Sequence, residues 1–539
     1  MKRRTNDARD LDYPLIAFSN SSKDVWTLRN AVEGVQIFGG IGSGKSSGSG
    51  KTIAYSLLNA GYGGVVLTSK MDETVRWLDY ASEMDRLHDV IVFGERSSLE
   101  KYSKKYPRLS TPPCYFNPIT YESNRPKEEG GGQTSNIVNL FLTIIKMGNR
   151  VSGTGGGGSS DPFWDLALER CMTAAINLLK FALKGDKGDP DDPTAHFALS
   201  VENMAKVVRE APKDKKSKTK NEKEEEEDDF DGYTVECLAH ATLYIEDREA
   251  ELANGLASEE DMEEFASEKR AYNLAFNYFM HDFKALPDDT RGSVTETFYA
   301  FANPFMSGLL ADYFAQGTTA AVMPEKTFKG KIIILDFPVK KYLQVGINAQ
   351  CIYKMLWQQA VERRESEGGG QDLNPVFLWV DESQYFLNQQ DMMFQTTARS
   401  SKACTIFITQ NISNYYAVMG GNRYKERVDS LLGNLATKIF HANNDNVTNE
   451  WAARTISRTF QTKMSTSIAS GDEGTQNTSI TETLNYQIEP HAFTVLKGGG
   501  PQNGFRVSAV ITVAGKEWSN GNNYARIFFD QNPEKIFTL

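Results

Sequence analysis

The 539-residue chain is 40% hydrophobic and 24% charged, the balance of an ordinary soluble protein with room for about two to four domains, which excludes wholesale disorder. Its net charge of −11 excludes a surface that coats nucleic acid indiscriminately, so any DNA contact has to be local. Five scattered cysteines without C-x-x-C spacing point to neither a disulfide framework nor a zinc site, and fit a reducing compartment.

In chain order, the start Met1-Lys2-Arg3-Arg4 is basic but has no apolar segment behind it, and does not read as a signal peptide. The apolar run Val35-Gln36-Ile37-Phe38 then leads into Gly39-Gly40-Ile41-Gly42-Ser43-Gly44-Lys45-Ser46, which satisfies the phosphate-loop pattern G-x-x-x-x-G-K-[ST]. Such a loop turns its backbone N–H groups onto phosphates, which needs glycines. Lys45 reaches the β/γ oxygens and the Ser46 hydroxyl takes a place on Mg²⁺; the adjoining Ser47 completes the nucleotide-binding set. A Gly/Ser linker is the bland alternative, but a strand precedes the loop and a helix-compatible stretch over 52–59 follows it. Gly50-Lys51-Thr52 mimics a second copy, yet the glycine it requires falls at Lys45, so it reads as the first turns of that helix.

Short β-branched runs at 64–68 and 90–93, each a helix length beyond the previous strand, give a βαβ rhythm. From residue 121 the texture changes. Glycine-rich loops at 130–132 and 153–158 precede long helical patterns at 163–183 and 258–286, and this part reads as all-α. Within it, 213–231 runs from a basic cluster into consecutive acids, too polar to bury, and reads as a disordered excursion rather than a charged docking arm. The longest apolar runs, 139–145 and 331–335, fall far short of the roughly 18 residues that span a bilayer.

Strands return at 331–336 and 375–382 with a helix over 346–364 between them. Both strands end in an acid, so both compete to hold Mg²⁺ and polarise water. Asp381-Glu382 is the better candidate, because the chemistry wants one carboxylate on the metal's water shell and a neighbour to orient the attacking water. Asp336 is followed by Phe337-Pro338 and reads as the cap of the next helix. The strand Cys404-Thr405-Ile406-Phe407-Ile408-Thr409 then ends in Gln410, whose amide can report the γ-phosphate. Phosphate loop, Asp-Glu strand and Gln strand, in that order, describe a RecA-type motor core in which a parallel sheet presents all three to one nucleotide.

With those motifs in place the chain resembles the type IV secretion coupling proteins, the hexameric RecA/FtsK-like ATPases that feed DNA into conjugation machines. The resemblance extends to Phe116-Asn117-Pro118 after a strand, Phe163-Trp164 opening a helix, the stretch 301–314, the block 399–410, Val428 through Asn434, and Thr437-Lys438-Ile439-Phe440. It implies an α/β fold, a RecA-like nucleotide-binding domain with an inserted all-α domain: an N-terminal segment 1–30, motor parts at 31–120 and 325–539, and the insertion at 121–324. It further implies ATP and Mg²⁺ as ligands, a homo-hexamer, sequence-independent contacts to DNA, and relaxase, accessory and secretion-channel ATPase partners. Arg399 matches the family's arginine that reaches into a neighbouring subunit's nucleotide. The expected catalytic set is thus Lys45, Glu382, Gln410 and Arg399, with Ser46 and Asp381 on the metal. Two departures stand out. Most family members begin with transmembrane helices, whereas about thirty residues precede the first motor strand here, so the expected location is cytoplasmic with peripheral recruitment to the membrane. Thr68-Ser69 also stands where many members place an aspartate. The same motor could serve DNA packaging, defence or protein delivery, and a slow nucleotide-dependent assembly switch is the reading from a different class.

Overall fold

Apolar runs bounded by glycine and polar turns become the strands of one large sheet in the computed structural model, which describes residues 7–151, 162–189, 192, 195–213, 232–253, 258–364, 372–419, 423–468 and 476–532. In chain order the strands are β1 (Pro14–Ala17), β2 (Val25–Thr27), β3 (Val35–Phe38), β4 (Gly63–Leu67), β5 (Val90–Gly94), β6 (Ile332–Asp336), β7 (Val376–Val380), β8 (Ala403–Thr409), β9 (Thr437–Phe440), β10 (Arg458–Ile468), β11 (Gln476–Tyr486), β12 (Arg506–Val513) and β13 (Tyr524–Asp530). Nine of them form a sheet of order β13-β12-β9-β3-β8-β7-β4-β6-β5. The seven from β9 to β5 run parallel, while β12 and β13 close one edge antiparallel. β1–β2 and β10–β11 are separate two-stranded pairs.

A parallel sheet covered on both faces needs strands that are apolar throughout rather than alternating. β3, β4, β6, β7 and β8 are buried at every residue. This order also explains the site. β3 lies beside β8, and β8 beside β7, so the loop after β3 shares the carboxyl end of the sheet with the turns after β8 and β7.

The chain packs into two units. One comprises residues 1–111, 324–340 and 358–539 and holds the whole nine-stranded sheet; the other comprises 112–323 and 341–357. Among the described residues the second unit is all helical, with its longest helices at Thr134–Val151, Pro162–Gly185, Tyr233–Ala253, Glu259–Asn277 and Asp288–Met306. Its core is aromatic: Phe141 meets Phe301 and Phe305 at centroid separations of 4.7 and 5.8 Å. The buried Arg291 guanidinium donates to the carbonyls of Ala211 and Pro212 and lies over the Phe283 ring. Residues 153–158 lie outside the described set, as does the excursion 213–231 beyond Lys213.

Several local readings change. Among the described residues no strand lies between β5 and Phe116-Asn117-Pro118, which follow the helix Arg96–Lys105 and a loop; Asn117 instead caps the helix Pro118–Ser123, accepting from the N–H groups of Ile119 and Thr120 at 3.0 and 3.3 Å. Pro338, not Asp336, holds the N-cap of the helix Val339–Arg363, so the capping role expected of Asp336 is absent. That helix also starts earlier than its glycine punctuation suggests, and carries a break at Leu343, where φ is +49°. All five cysteines are buried, and none is in a disulfide.

Candidate functional site

β3 delivers the chain into the loop 39–47 at the carboxyl edge of the sheet. Gly42 and Gly44 adopt φ of +72° and +81°, conformations that disfavour any side chain, and a Cβ on Gly44 would meet Val507 at 2.6 Å. Beyond the loop, Ser46–Gly50 forms one π-helical turn, closed by Gly50 N–H to Lys45 C=O at 2.8 Å, and leads into the helix Lys51–Asn59. Ile41 is exposed at the tip, whereas Ser43 and Lys45 are buried. The Ser43 hydroxyl is buried with no hydrogen-bond partner. Such an orphaned polar atom inside a glycine cradle fits a bound phosphate.

Ser46 donates to Asp381 Oδ2 at 3.0 Å, which brings the expected hydroxyl and carboxylate together across the gap between loop and β7. Both are hard oxygen donors suited to Mg²⁺, which keeps several of its own waters, so two protein ligands suffice. Asp381 also accepts from the Glu382 N–H at 2.9 Å. Glu382 itself sits at φ +49°, an uncommon left-handed position for a residue with a side chain, held by the short turn Ser383–Tyr385. That turn is tied down in turn. Ser383 donates to Ile408 C=O at 3.0 Å, and the Tyr415 hydroxyl bridges it to Gln36 of β3.

Glu382 has a crowded carboxylate. It accepts from Gln384 Nε2 and Lys70 Nζ at 3.0 Å each, and from Gln410 Nε2 at 3.4 and 3.5 Å. Burial works to raise its pKa, but the Gln384 amide and the Lys45 and Lys70 ammonium groups outweigh it and hold the carboxyl below its ordinary range. Gln410 follows β8 as expected and is anchored through its carbonyl by Asn443 at 2.8 Å. The structure thus brings Lys45, Ser46, Asp381, Glu382 and Gln410 to one place. Arg399 lies elsewhere: it is exposed on the turn between the helix Gln389–Thr397 and β8, 3.4 Å from Glu33.

A cavity of about 620 Å³ is lined by Lys45, Ser46, Glu382 and Gln410, and part of its wall comes from residues that sequence reasoning missed. Lys70 and Arg76 enter from the segment after β4; Arg76 approaches Asp381 at 3.9 Å and Asp72 at 2.6 Å. Glu73 is buried, accepts from the Ser69 N–H at 2.6 Å, and has its pKa pushed up to about 8 by burial first and by Asp381 second. Gln531, just beyond β13, donates to Ser47 at 2.6 Å. His441, after β9, meets the Ser49 hydroxyl at 2.7 Å, and burial pushes its pKa down to about 3, so it braces the π-turn as a neutral ring. Position beside a motif strand would have flagged Lys70; nothing local flags His441 or Gln531.

Residues 375–495 match a family model described as the TraM recognition site of TraD and TraG. A comparison with curated proteins finds no match. Among solved structures, the chain is similar to the unbound monoclinic form of the bacterial conjugative coupling protein TrwBdeltaN70, with a TM-score of 0.53 at 10% identity over 98% of this chain and 92% of that one. Its trigonal form in complex with sulphate gives 0.50 at 11% identity, over 96% and 90% of the two chains. The plasmid coupling protein TrwB in complex with ADP and Mg²⁺ gives 0.50 at 11% identity, over 96% and 91%. The resemblance to the type IV secretion coupling proteins therefore stands on a matched segment and on a shared fold.

Proposed function

We propose that this chain is an ATP-hydrolysing motor that assembles as a homo-hexameric ring and delivers DNA, or DNA with its bound protein, to a type IV secretion machine. The observation that carries the reading is the convergence of Lys45, Ser46, Glu382 and Gln410 around one cavity at the carboxyl ends of adjacent strands, with Asp381 hydrogen-bonded to Ser46 beside it. The family-model match and the coupling-protein fold support the setting in conjugation, and the ADP and Mg²⁺ bound to TrwB support the ligands.

When bound, Mg²⁺ supplies charge neutralisation of the phosphate oxygens. The chain's own groups do the remainder. The loop N–H groups and Lys45 hold the phosphates, Ser46 and Asp381 hold the metal, and Glu382 orients the attacking water and accepts its proton. Gln410 touches Glu382 and so couples that carboxylate to β8. To Arg399, exposed and away from its own cavity, we assign the role of serving a neighbour's. Contacts to DNA in such a motor are to phosphates, hence sequence-blind and salt-sensitive. Among the described residues no helix is long and apolar enough to cross a membrane; we assign the protein a cytoplasmic place, with recruitment through relaxase, accessory or channel partners.

Turnover of ATP with and without duplex DNA tests the reading. DNA should stimulate hydrolysis several-fold, and Lys45→Ala should abolish it. Mixing Arg399→Ala with Lys45→Ala subunits should restore part of the activity, since mixed rings contain interfaces with an intact cavity on one side and an intact arginine on the other. Hydrolysis indifferent to DNA would overturn the translocase assignment, and exchanged but inactive mixed rings would overturn the role of Arg399.

A further inference from the structure

Glu382 is engaged before any substrate is considered. Lys70 holds Oε1 at 3.0 Å, Gln384 holds Oε2 at 3.0 Å, and the Gln410 amide spans both oxygens. A carboxylate that accepts from a cation and two amides has little capacity left to orient a water.

The two partners of the ion pair differ in freedom. Glu382 is 6% exposed in its side chain and fixed on a strained backbone, whereas the Lys70 side chain is 38% exposed on a flexible four-carbon stem. Lys70 is therefore the partner that moves. It has somewhere to go: it lines the same cavity as Lys45 and the glycine loop. The sheet explains why they meet, because β4, which Lys70 follows, lies directly beside β7, which Glu382 follows. A half-exposed ion pair of this kind adds little to stability, so its placement calls for another account.

The geometry points to Lys70 as a positioning residue that leaves Glu382 for the terminal phosphate of a nucleoside triphosphate, so that gripping the substrate and releasing the carboxylate are one movement. This rests on the reading of the cavity as a nucleotide site. A terminal phosphate offers a larger charge than a carboxylate and three acceptor oxygens, enough to draw the ammonium across. A diphosphate leaves that position empty and Glu382 stays engaged. Gln384 remains behind as a support, since Thr409 holds its Oε1 at 2.8 Å.

Calorimetric titration of the full chain with ADP and with a non-hydrolysable ATP analogue, both with Mg²⁺, gives a ratio of affinities that tests this. Lys70→Met should lower the preference for the triphosphate about tenfold or more while leaving ADP affinity within about twofold; Lys70→Arg should keep most of the preference. Glu382→Gln should raise the preference, because the ammonium is no longer held, and should do nothing when Lys70→Met is already present. An unchanged ratio in Lys70→Met, or an equal effect of Glu382→Gln with and without Lys70, overturns the assignment to Lys70 and leaves the nucleotide site standing. Wild-type protein that binds neither nucleotide overturns both.

Discussion

Asp336 and Asp381 begin as the same sequence feature, an aspartate at the end of a buried hydrophobic strand, and finish with different surroundings. Both are almost completely buried. Asp381 faces Ser46 across the phosphate loop, with Arg76 nearby. Asp336 accepts from the Thr74 hydroxyl at 2.6 Å and the Tyr102 hydroxyl at 3.0 Å, which bind the helices over 73–83 and 96–105 to the sheet. The sheet order separates them: β7 is two strands from β3, β6 is four. A carboxylate at a strand end becomes a candidate for chemistry only when its strand is close enough to the phosphate loop for the two turns to touch.

The strongest way to break this comparison is to neutralise each end. Glu382→Gln should lower turnover by about 10²- to 10⁴-fold with nucleotide binding retained, because an amide cannot accept the water's proton. Asp336→Asn should keep turnover within a few-fold. A dead Asp336→Asn beside an active Glu382→Gln would invert the assignment. One step smaller, Asp381→Asn should raise the Mg²⁺ concentration needed for half-maximal turnover about 10- to 100-fold, measured by metal titration, while Asp336→Asn should leave it unchanged. Stability should show the mirror image. Asp336→Ala removes the acceptor of the buried Thr74 hydroxyl and the part-buried Tyr102 hydroxyl and should cost about 1–3 kcal/mol by denaturant unfolding, with nucleotide affinity intact.

The smallest effect sharpens the comparison on β9, the other neighbour of β3, where burial places a base instead of an acid. Lys438 donates to the Leu435 carbonyl at 2.6 Å, and burial pushes its pKa down to about 8. Between pH 8 and the ordinary lysine value the unfolded chain binds more protons than the folded one, so wild-type stability rises with pH across that window; below it both states are protonated and the full penalty applies. The melting temperature of Lys438→Met relative to wild type should therefore be highest near pH 7 and decline as pH climbs past 8. A difference independent of pH would show that Lys438 is not desolvated in solution.

How much of this was legible in the sequence depends on how locally each feature is encoded. β3 to β8 were readable because parallel strands are continuous apolar runs; Lys45 and Ser46 were readable from the phosphate-loop pattern, and Asp381, Glu382 and Gln410 because they come just after a strand. β10 to β13 were not read: β10 and β11 are polar and threonine-rich, and β13 alternates between buried and exposed positions at a sheet edge. Phe460, Met464, Ile480 and Leu484 lie exposed along the β10–β11 pair, so its alternation does not report a core. His441 and Gln531 escaped because they serve the phosphate loop through contacts set by sheet order. The role of Asp336 was misread since Thr74 and Tyr102, which occupy it, lie some 260 and 230 positions away, 262 and 234 in sequence.

The position of β3 has a further consequence for the protein's birth. Both of its neighbours, β8 and β9, are encoded after residue 400, and Gln531, which reaches Ser47, follows that serine by 484 positions. At ribosomal speeds of about 5–20 residues per second, the phosphate loop emerges roughly half a minute to a minute and a half before its wall is complete. Until β8 and β9 emerge, β3, buried at every residue in the folded protein, has no partner to hydrogen-bond. A nascent chain arrested before β8 should remain a client of chaperones and an easy substrate for proteases, and nucleotide added during synthesis should protect it only after the final strand has left the ribosome.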